Sequence, residues 1–225
     1  HIGGIEVLIL CLMAGSRFIL LKKFSAKKFW KQIRKYKITK LHYLGGILDI
    51  LIKKKSKKID RNHKVKLAFG AGSRKETYHE FKERFNIPLR EVYGMTEASS
   101  FTTINFKKKL GSIGRVLPWF KLKIVNKVNG IGEIVINQKQ KGLITKGYYK
   151  DYKSSKKLIQ KDGLHTGDLG KIDRKGNVFY IGRIKDFVRV KGENISSWEI
   201  ETNLNMHNDI SESAILSTKA DIGEE

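Results

Sequence analysis

The chain has 225 residues, 40% of them apolar and 10% aromatic, enough to bury one sizeable core or a core with a small second domain. Its longest apolar run, Ile5 to Ala14, is broken by Glu6 and is far short of the ~20 residues that a membrane-crossing helix needs. The formal charge of +24 would ordinarily raise nucleic acid or an anionic membrane as partner. The lysines are dispersed, however, with small clusters at Lys53, Lys54, Lys55, Lys57, Lys58 and at Lys107, Lys108, Lys109, where turns are expected. No zinc-finger, RNP or basic-zipper pattern accompanies them. A solvated surface is the plainer reading and no nucleic-acid partner is expected, while peripheral contact of the lysines with an acidic membrane stays open. A single cysteine, Cys11, excludes an internal disulfide, is expected to be a small buried hydrophobe, and fits a reducing cytoplasm.

In chain order, residues 1 to 97 alternate between helical periodicity and short apolar runs, the signature of a parallel sheet with helical crossovers. Arg17 to Leu21 reads as a strand. Ser25 is placed to cap a helix from Ala26 to about Lys37 that buries Phe29, Ile33 and Tyr36. A strand at Leu41 to Leu44 leads through Gly45-Gly46 into a helix from Ile47 to Lys54. A strand at Val65 to Phe69 follows, then a helix from Lys75 to Phe85 with Tyr78, Phe81 and Phe85 on one face, and a strand at Leu89 to Tyr93.

From about Gly111 the pattern changes to glycine-punctuated strands, at Phe120 to Val125, Gly132 to Asn137, Lys171 to Asp173 and Val178 to Ile181. Turn signals at Asn129-Gly130, Asp162-Gly163 and Lys175-Gly176-Asn177 separate them. Further on, Ser196-Ser197-Trp198-Glu199 reads as a capping box opening a helix, and Ser213 to Ser217 as a strand. The expected fold is therefore α/β: parallel βαβ layers over 1–110, a small antiparallel β unit over 111–184, and the start of a small α+β domain over 185–225.

The strongest chemical signal is Tyr93-Gly94-Met95-Thr96-Glu97, directly after a buried strand. Loops at the carboxyl ends of parallel strands are where such sheets bind ligands. The segment offers a ring that can stack on a base, a glycine allowing close backbone approach, a hydroxyl for a phosphate oxygen and a carboxylate able to hold Mg²⁺. An ordinary turn carrying a hydroxyl and an acid would look the same. Gly70-Ala71-Gly72, after the preceding strand, could wall a nucleotide slot, although the third glycine of a dinucleotide fingerprint is missing. His165-Thr166-Gly167-Asp168 reads as a tight turn whose aspartate could accept from both hydroxyls of a ribose, or simply form the turn. Gly182-Arg183-Ile184-Lys185-Asp186 and Lys191-Gly192-Glu193-Asn194-Ile195-Ser196 complete the set.

Taken in order, with His1-Ile2-Gly3-Gly4 at the start and Gly147-Tyr148-Tyr149 before the Thr-Gly-Asp turn, these motifs resemble the AMP-forming acyl-CoA synthetases, luciferases and peptide-synthetase adenylation domains. The resemblance covers essentially the whole chain, which looks like somewhat less than half of a full-length member. It implies that Gly70, Ala71 and Tyr93 contact adenine, with Gly72 and Gly94 in the same slot. It further implies that Thr96 binds the α-phosphate, Glu97 holds Mg²⁺, and Asp168 and Arg183 hold the ribose hydroxyls. Lys185 falls at the family's hinge position and Gly192 in the loop that serves thioester formation. His1, Tyr43, Gly45 and Gly70 fall at the acyl pocket.

The reaction so implied joins a carboxylic acid to ATP, giving an acyl-adenylate and pyrophosphate, and then transfers the acyl group to coenzyme A. The phosphate-cradling loop of the family would lie before His1 and its C-terminal lysine beyond Glu225. The chain by itself is accordingly expected to adenylate poorly. Ser112-Ile113-Gly114-Arg115 and the later motifs lean toward the carnitine and crotonobetaine CoA-ligase branch and its fatty-acid neighbours. Two other readings stand beside this one: an adenylation domain that loads a carrier protein, and a basic nucleic-acid-binding module whose glycines merely make turns.

Overall fold

A computed structural model describes residues 2–190 and 193–204, and beyond them residues 207, 209–210, 213–216, 219–220 and 223–224. The first helix, α1 (Ile2–Met13), takes in the longest apolar run as far as Met13. Its buried residue is the acid Glu6, whose Oε1 accepts from the backbone N–H of Phe101 at 3.1 Å, while Ile5, Leu12 and Met13 are exposed. Among the described residues no helix is long and apolar enough to cross a membrane. Cys11 is half-buried, less enclosed than its apolar neighbours suggested, because α1 leaves much of its surface open.

After helix α2 (Phe29–Lys35), three parallel strands follow: β1 (Lys40–Leu44), β2 (Leu67–Ala71) and β3 (Leu89–Met95), in the register Tyr43↔Gly70 and Gly70↔Glu91. Helices α3 (Gly45–Ile52) and α4 (Lys75–Phe85) are the crossovers. The stripe expected on α4 forms: Phe81 and Phe85 are fully buried, each worth about 1.5–3 kcal/mol by removal from water, and Trp30 of α2 stacks on Phe85 at 4.5 Å. The helix stops at Asn86, whose left-handed φ of 54° ends the ladder while its N–H still bonds Lys82 O. Two antiparallel strands, β4 (Ser100–Ile104) and β5 (Arg115–Val116), extend this sheet in the order β1-β2-β3-β4-β5.

The antiparallel unit has the order β10-β9-β7-β6, built from β6 (Phe120–Val128), β7 (Ile131–Gln138), β9 (Gly163–Ile172) and β10 (Val178–Arg183), with β8 (Ile159–Gln160) also on β9. Asn129 and Gly130 join β6 to β7 with φ of 51° and 80°, as a two-residue hairpin requires. Helix α5 (Tyr152–Leu158) precedes β8 and is capped by Asp151 Oδ1 accepting from Ser154 N. Tyr93, Ala98, Ile113, Phe120, Ile134, Ile136 and Val178 form a core shared by both sheets, so the end of β3 is locked to the antiparallel unit. Buried Ser112 adds a polar link, its Oγ donating to Val178 O at 2.7 Å and accepting from Gly114 N at 2.9 Å.

The last described elements are β11 (Phe187–Val190), β12 (Glu193–Ser196), α6 (Ser197–Leu204), β13 (Lys219–Ala220) and β14 (Gly223–Glu224), the strands in the order β12-β11-β14-β13.

Several expectations are corrected. Arg17–Leu21 is not a strand: among the described residues no neighbour pairs with it, and Leu20 is exposed. Helix α2 is shorter than the 26–37 periodicity, starts without a side-chain cap from Ser25, and leaves Tyr36 exposed beyond its end. Strand β2 lies two residues later than expected, so Gly70 and Ala71 sit inside the ladder instead of in the loop after it. His165–Asp168 is part of the ten-residue strand β9, not a tight turn. Residues 213–216 are not a strand, and residue 217 lies outside the described residues.

Candidate functional site

The carboxyl ends of β1, β2 and β3 bring together Tyr43, Gly45, Gly70, Ala71, Gly72 and Tyr93. They can approach because side chains are missing where backbones touch: a Cβ at Gly45 would overlap the carbonyl of Gly72, and one at Gly70 the carbonyl of Tyr43. Gly72 turns the chain with φ of 80°. Beneath this turn, the buried Glu91 of β3 accepts from Tyr43 Oη at 2.5 Å and from Ser73 N at 3.2 Å. Burial raises the Glu91 carboxyl to about 7, against the opposing pull of those donors. Tyr43, itself buried beside that acid, is pushed well up. Sequence reasoning missed Glu91, because nothing local marks a strand acid as buried.

Tyr93, expected at the end of its strand, lies within β3, which runs two residues further to Met95; it is 8% exposed, and its Oη donates to Asp168 Oδ2 at 2.5 Å. Asp168, in turn, sits opposite Arg183 in the β9–β10 ladder, so the three residues from separate motifs converge. Arg183 Nε stands 3.2 Å from Asp168 Oδ1, close enough for charge attraction but without hydrogen-bond geometry. The buried Oδ1 therefore accepts no hydrogen bond among the described residues. Burial raises the Asp168 carboxyl, while the Tyr93 hydroxyl and the Arg183 charge pull it down; Asp168 in return raises Arg183. The Tyr93 phenol is pushed up, first by burial and then by Asp168. Tyr180, 6.3 Å from the Tyr93 ring, is pushed to about 12, again first by burial.

What presents Asp168 is a bulge. Between the pairs Glu133↔Leu169 and Val135↔His165, the single residue Ile134 of β7 opposes Thr166, Gly167 and Asp168 of β9. Gly167 takes φ of 70° there. Thr166 Oγ1 donates to Ile134 O at 2.7 Å and accepts from Asp168 N at 3.1 Å, while Gly167 N donates to Glu133 Oε1 at 3.0 Å.

Beyond β3, residues 96–98 form one 3-10 turn with Thr96 exposed and Glu97 half-buried. Glu97 Oε1 accepts from Tyr148 Oη at 2.7 Å, and the Glu97 carbonyl from Thr145 N at 2.8 Å. The Glu97 bond pushes the Tyr148 phenol to about 12, while the nearby Arg183 charge opposes the shift. Tyr148 thus fixes the Glu97 carboxylate, with the Arg183 charge near enough to be felt. The Gly-Tyr-Tyr motif was visible in the sequence, but nothing in it pointed to Glu97. Lys185 is exposed in the 3-10 turn 184–186 after β10, while His1 and Gly192 lie outside the described residues.

The donor set suits a nucleotide. A buried carboxylate oxygen without a donor matches a sugar hydroxyl, and a half-exposed Arg183 and an exposed Thr96 can meet anionic oxygens. Glu97 is a single hard oxygen donor group of the type Mg²⁺ accepts when phosphates supply the remaining ligands. Among the described residues no cluster of three or more His, Cys, Asp or Glu could hold a metal by itself.

The profile of the AMP-binding enzyme family matches residues 1–149. The 2-succinylbenzoate–CoA ligase of Oceanobacillus iheyensis is 32% identical over 213 residues, 89% of this chain and 43% of that protein. The crotonobetaine/carnitine–CoA ligase of Proteus mirabilis is 31% identical over 226 residues, 94% of this chain and 43% of that protein. The o-succinylbenzoate coenzyme A synthetase of Bacillus subtilis, solved with ATP and a magnesium ion, superimposes with a TM-score of 0.82 at 25% identity, over 100% of this chain and 48% of that one. The chain spans less than half the length of each of these relatives, and it belongs to the family of AMP-binding enzymes.

Proposed function

We propose that the protein carrying this chain activates an organic carboxylate with ATP and passes the acyl group from the resulting acyl-adenylate to the thiol of coenzyme A. The observation that carries this reading is the meeting of Tyr93 and Arg183 at Asp168, Tyr93 on Oδ2 and Arg183 near the buried Oδ1 that no described residue hydrogen-bonds. A ribose brings adjacent hydroxyls that can donate to that oxygen, with Arg183 at the rim. Adenine then lies against Tyr93 and the Gly70-Ala71-Gly72 wall, with Gly94 permitting close approach.

In the first step a carboxylate oxygen attacks the α-phosphorus and the bond to pyrophosphate breaks, with Thr96 donating to an α-phosphate oxygen as charge builds. Mg²⁺, when bound at Glu97, supplies charge neutralisation at the phosphates. In the second step the coenzyme A sulfur attacks the acyl carbonyl and AMP leaves. Tyr43, Gly45, Gly70 and His1 belong to the acyl pocket, Lys185 to a hinge between domains 1–184 and 185–225, and Gly192 to the thioester loop. Relatives named for chemically different acids match almost equally well, so the acid is assigned by class; the carnitine branch is our choice within it. We place the reaction in the cytoplasm.

The test is ATP–pyrophosphate exchange with a carboxylate panel, followed by thioester formation with coenzyme A, using the full-length protein. Glu97→Gln and Asp168→Asn should each lower exchange by about 100-fold or more. Full exchange in both variants would end the proposal.

A further inference from the structure

His165 is flanked on both of its ring nitrogens by acids. Nδ1 lies 2.8 Å from Glu133 Oε2 and Nε2 lies 2.7 Å from Asp162 Oδ1, and the side chain is 12% exposed. Two carboxylates are acceptors only, so both contacts are hydrogen bonds only when both ring nitrogens carry protons. The other oxygen of Glu133 holds Gly167 N, the amide inside the bulge that precedes Asp168. Lys123 of β6 reaches the second oxygen of Asp162 at 3.1 Å. A chain of contacts therefore runs from Lys123 through Asp162, His165 and Glu133 to the backbone that aims Asp168.

We propose that His165, clamped as an imidazolium between Glu133 and Asp162, is a positioning residue that holds the Gly167 bulge and thereby sets the direction of Asp168. This rests on the reading of Asp168 as the acceptor for the nucleotide sugar. His165 touches no substrate in this scheme. The charged groups facing it are Glu133 from β7 and Asp162 from the turn before β9, with Lys123 behind Asp162. Burial pulls the imidazole down, yet its two carboxylate partners outweigh that and leave it raised. Deprotonation removes a donor from one carboxylate, frees Glu133 to turn away from Gly167, and loosens the bulge. The clamp is then complete below the raised value and weakens as pH rises through it.

The experiment measures binding of adenosine, which carries no phosphate titrating in this range, to the full-length protein from pH 6 to 9. Wild type should bind more weakly as pH rises. His165→Gln should bind about three- to tenfold more weakly at pH 6.5 and show a shallower profile, with Glu91 beneath the Gly72 turn still titrating in this range. Asp162→Asn, at a half-exposed position, keeps the inner contact with Glu133 and should move the fall in affinity to lower pH. Ring ¹⁵N shifts of His165 should report both nitrogens protonated at pH 6 in wild type. A flat wild-type profile, or a His165→Gln protein with unchanged affinity and profile, overturns the clamp. Should His165→Gln not fold, an Asp162→Asn profile identical to wild type overturns it instead. Asp168→Asn separates the two ideas: unchanged adenosine affinity there defeats the sugar reading itself, whereas a loss there with no effect at His165 or Asp162 defeats only the clamp.

Discussion

Asp168 Oδ2 accepts from Tyr93 Oη at 2.5 Å, and this bond joins a strand of the parallel sheet to a strand of the antiparallel unit. Function and stability pull in opposite directions at such a point, because a buried carboxylate aimed at a ligand is desolvated before the ligand arrives.

For Asp168 the folded protein favours the protonated form, so its contribution to stability is fully present below the unfolded pKa and is lost as pH rises through the raised value. Asp168→Asn keeps an acceptor for Tyr93 and removes the buried charge. It should raise the melting temperature at pH 8 while abolishing adenosine binding. A lower melting temperature at pH 8 in this variant would show that the Arg183 pairing outweighs desolvation.

Glu91 follows the same sign. Its carboxyl rises to about 7 from the ordinary 4.5, so stability should decline between roughly pH 5 and 8. Glu91→Gln should remove that slope and be more stable at pH 8 by up to about 3 kcal/mol, an upper bound from the size of the shift. Urea denaturation of both proteins at pH 5 and pH 8 measures it; parallel pH dependence in the two would refute it.

Tyr148→Phe deletes the hydroxyl on Glu97 at a partly exposed position, so the melting temperature should barely move, with a change within about 0.5 kcal/mol. The Mg²⁺ concentration giving half-maximal ATP binding should rise several-fold as Glu97 loses its fixed orientation. Calorimetric titration of ATP at graded Mg²⁺ tests this, and an unchanged Mg²⁺ requirement counts against a role for Tyr148.

Glycines at the parallel edge differ sharply. Gly45→Ala and Gly70→Ala drive a methyl group into the Gly72 and Tyr43 carbonyls and should each cost about 1–3 kcal/mol or more. Gly46→Ala, one residue along in α3 with nothing within 4 Å of the new Cβ, should be neutral or stabilising by up to about 1 kcal/mol. Thermal melts of the three variants rank them; equal effects at Gly45 and Gly46 would contradict the close approach.

How much of this was legible in the sequence depends on how local each feature is. Helix α4 was readable residue for residue, since Phe81 and Phe85 at helical spacing carry their own signal, and the Asn129-Gly130 turn announced the β6–β7 hairpin. Arg17–Leu21 has the composition of a strand, but a strand also needs a neighbour, which composition cannot supply. The glycines of β9 read as turns because the bulge that accommodates Gly167 is created by its partner strand. Helix α5 has no apolar stripe and is set by its Asp151 cap. The candidate site residues were found by motif, while their meeting depends on the β9–β10 register and on Tyr148 reaching back to Glu97.

Arg84 shows how a strongly cationic chain can shape its own surface. Its guanidinium donates to the carbonyls of Ile52, Lys54 and Lys55, pairs with Asp60 at 2.8 Å, and lies over the Phe85 ring. The exposed lysines at 53–58 thus hang from a peptide segment gathered inward by another cation. Neutralising those lysines should alter solubility and salt response while leaving the segment's path intact; truncating Arg84 would release the path while leaving every lysine charge in place.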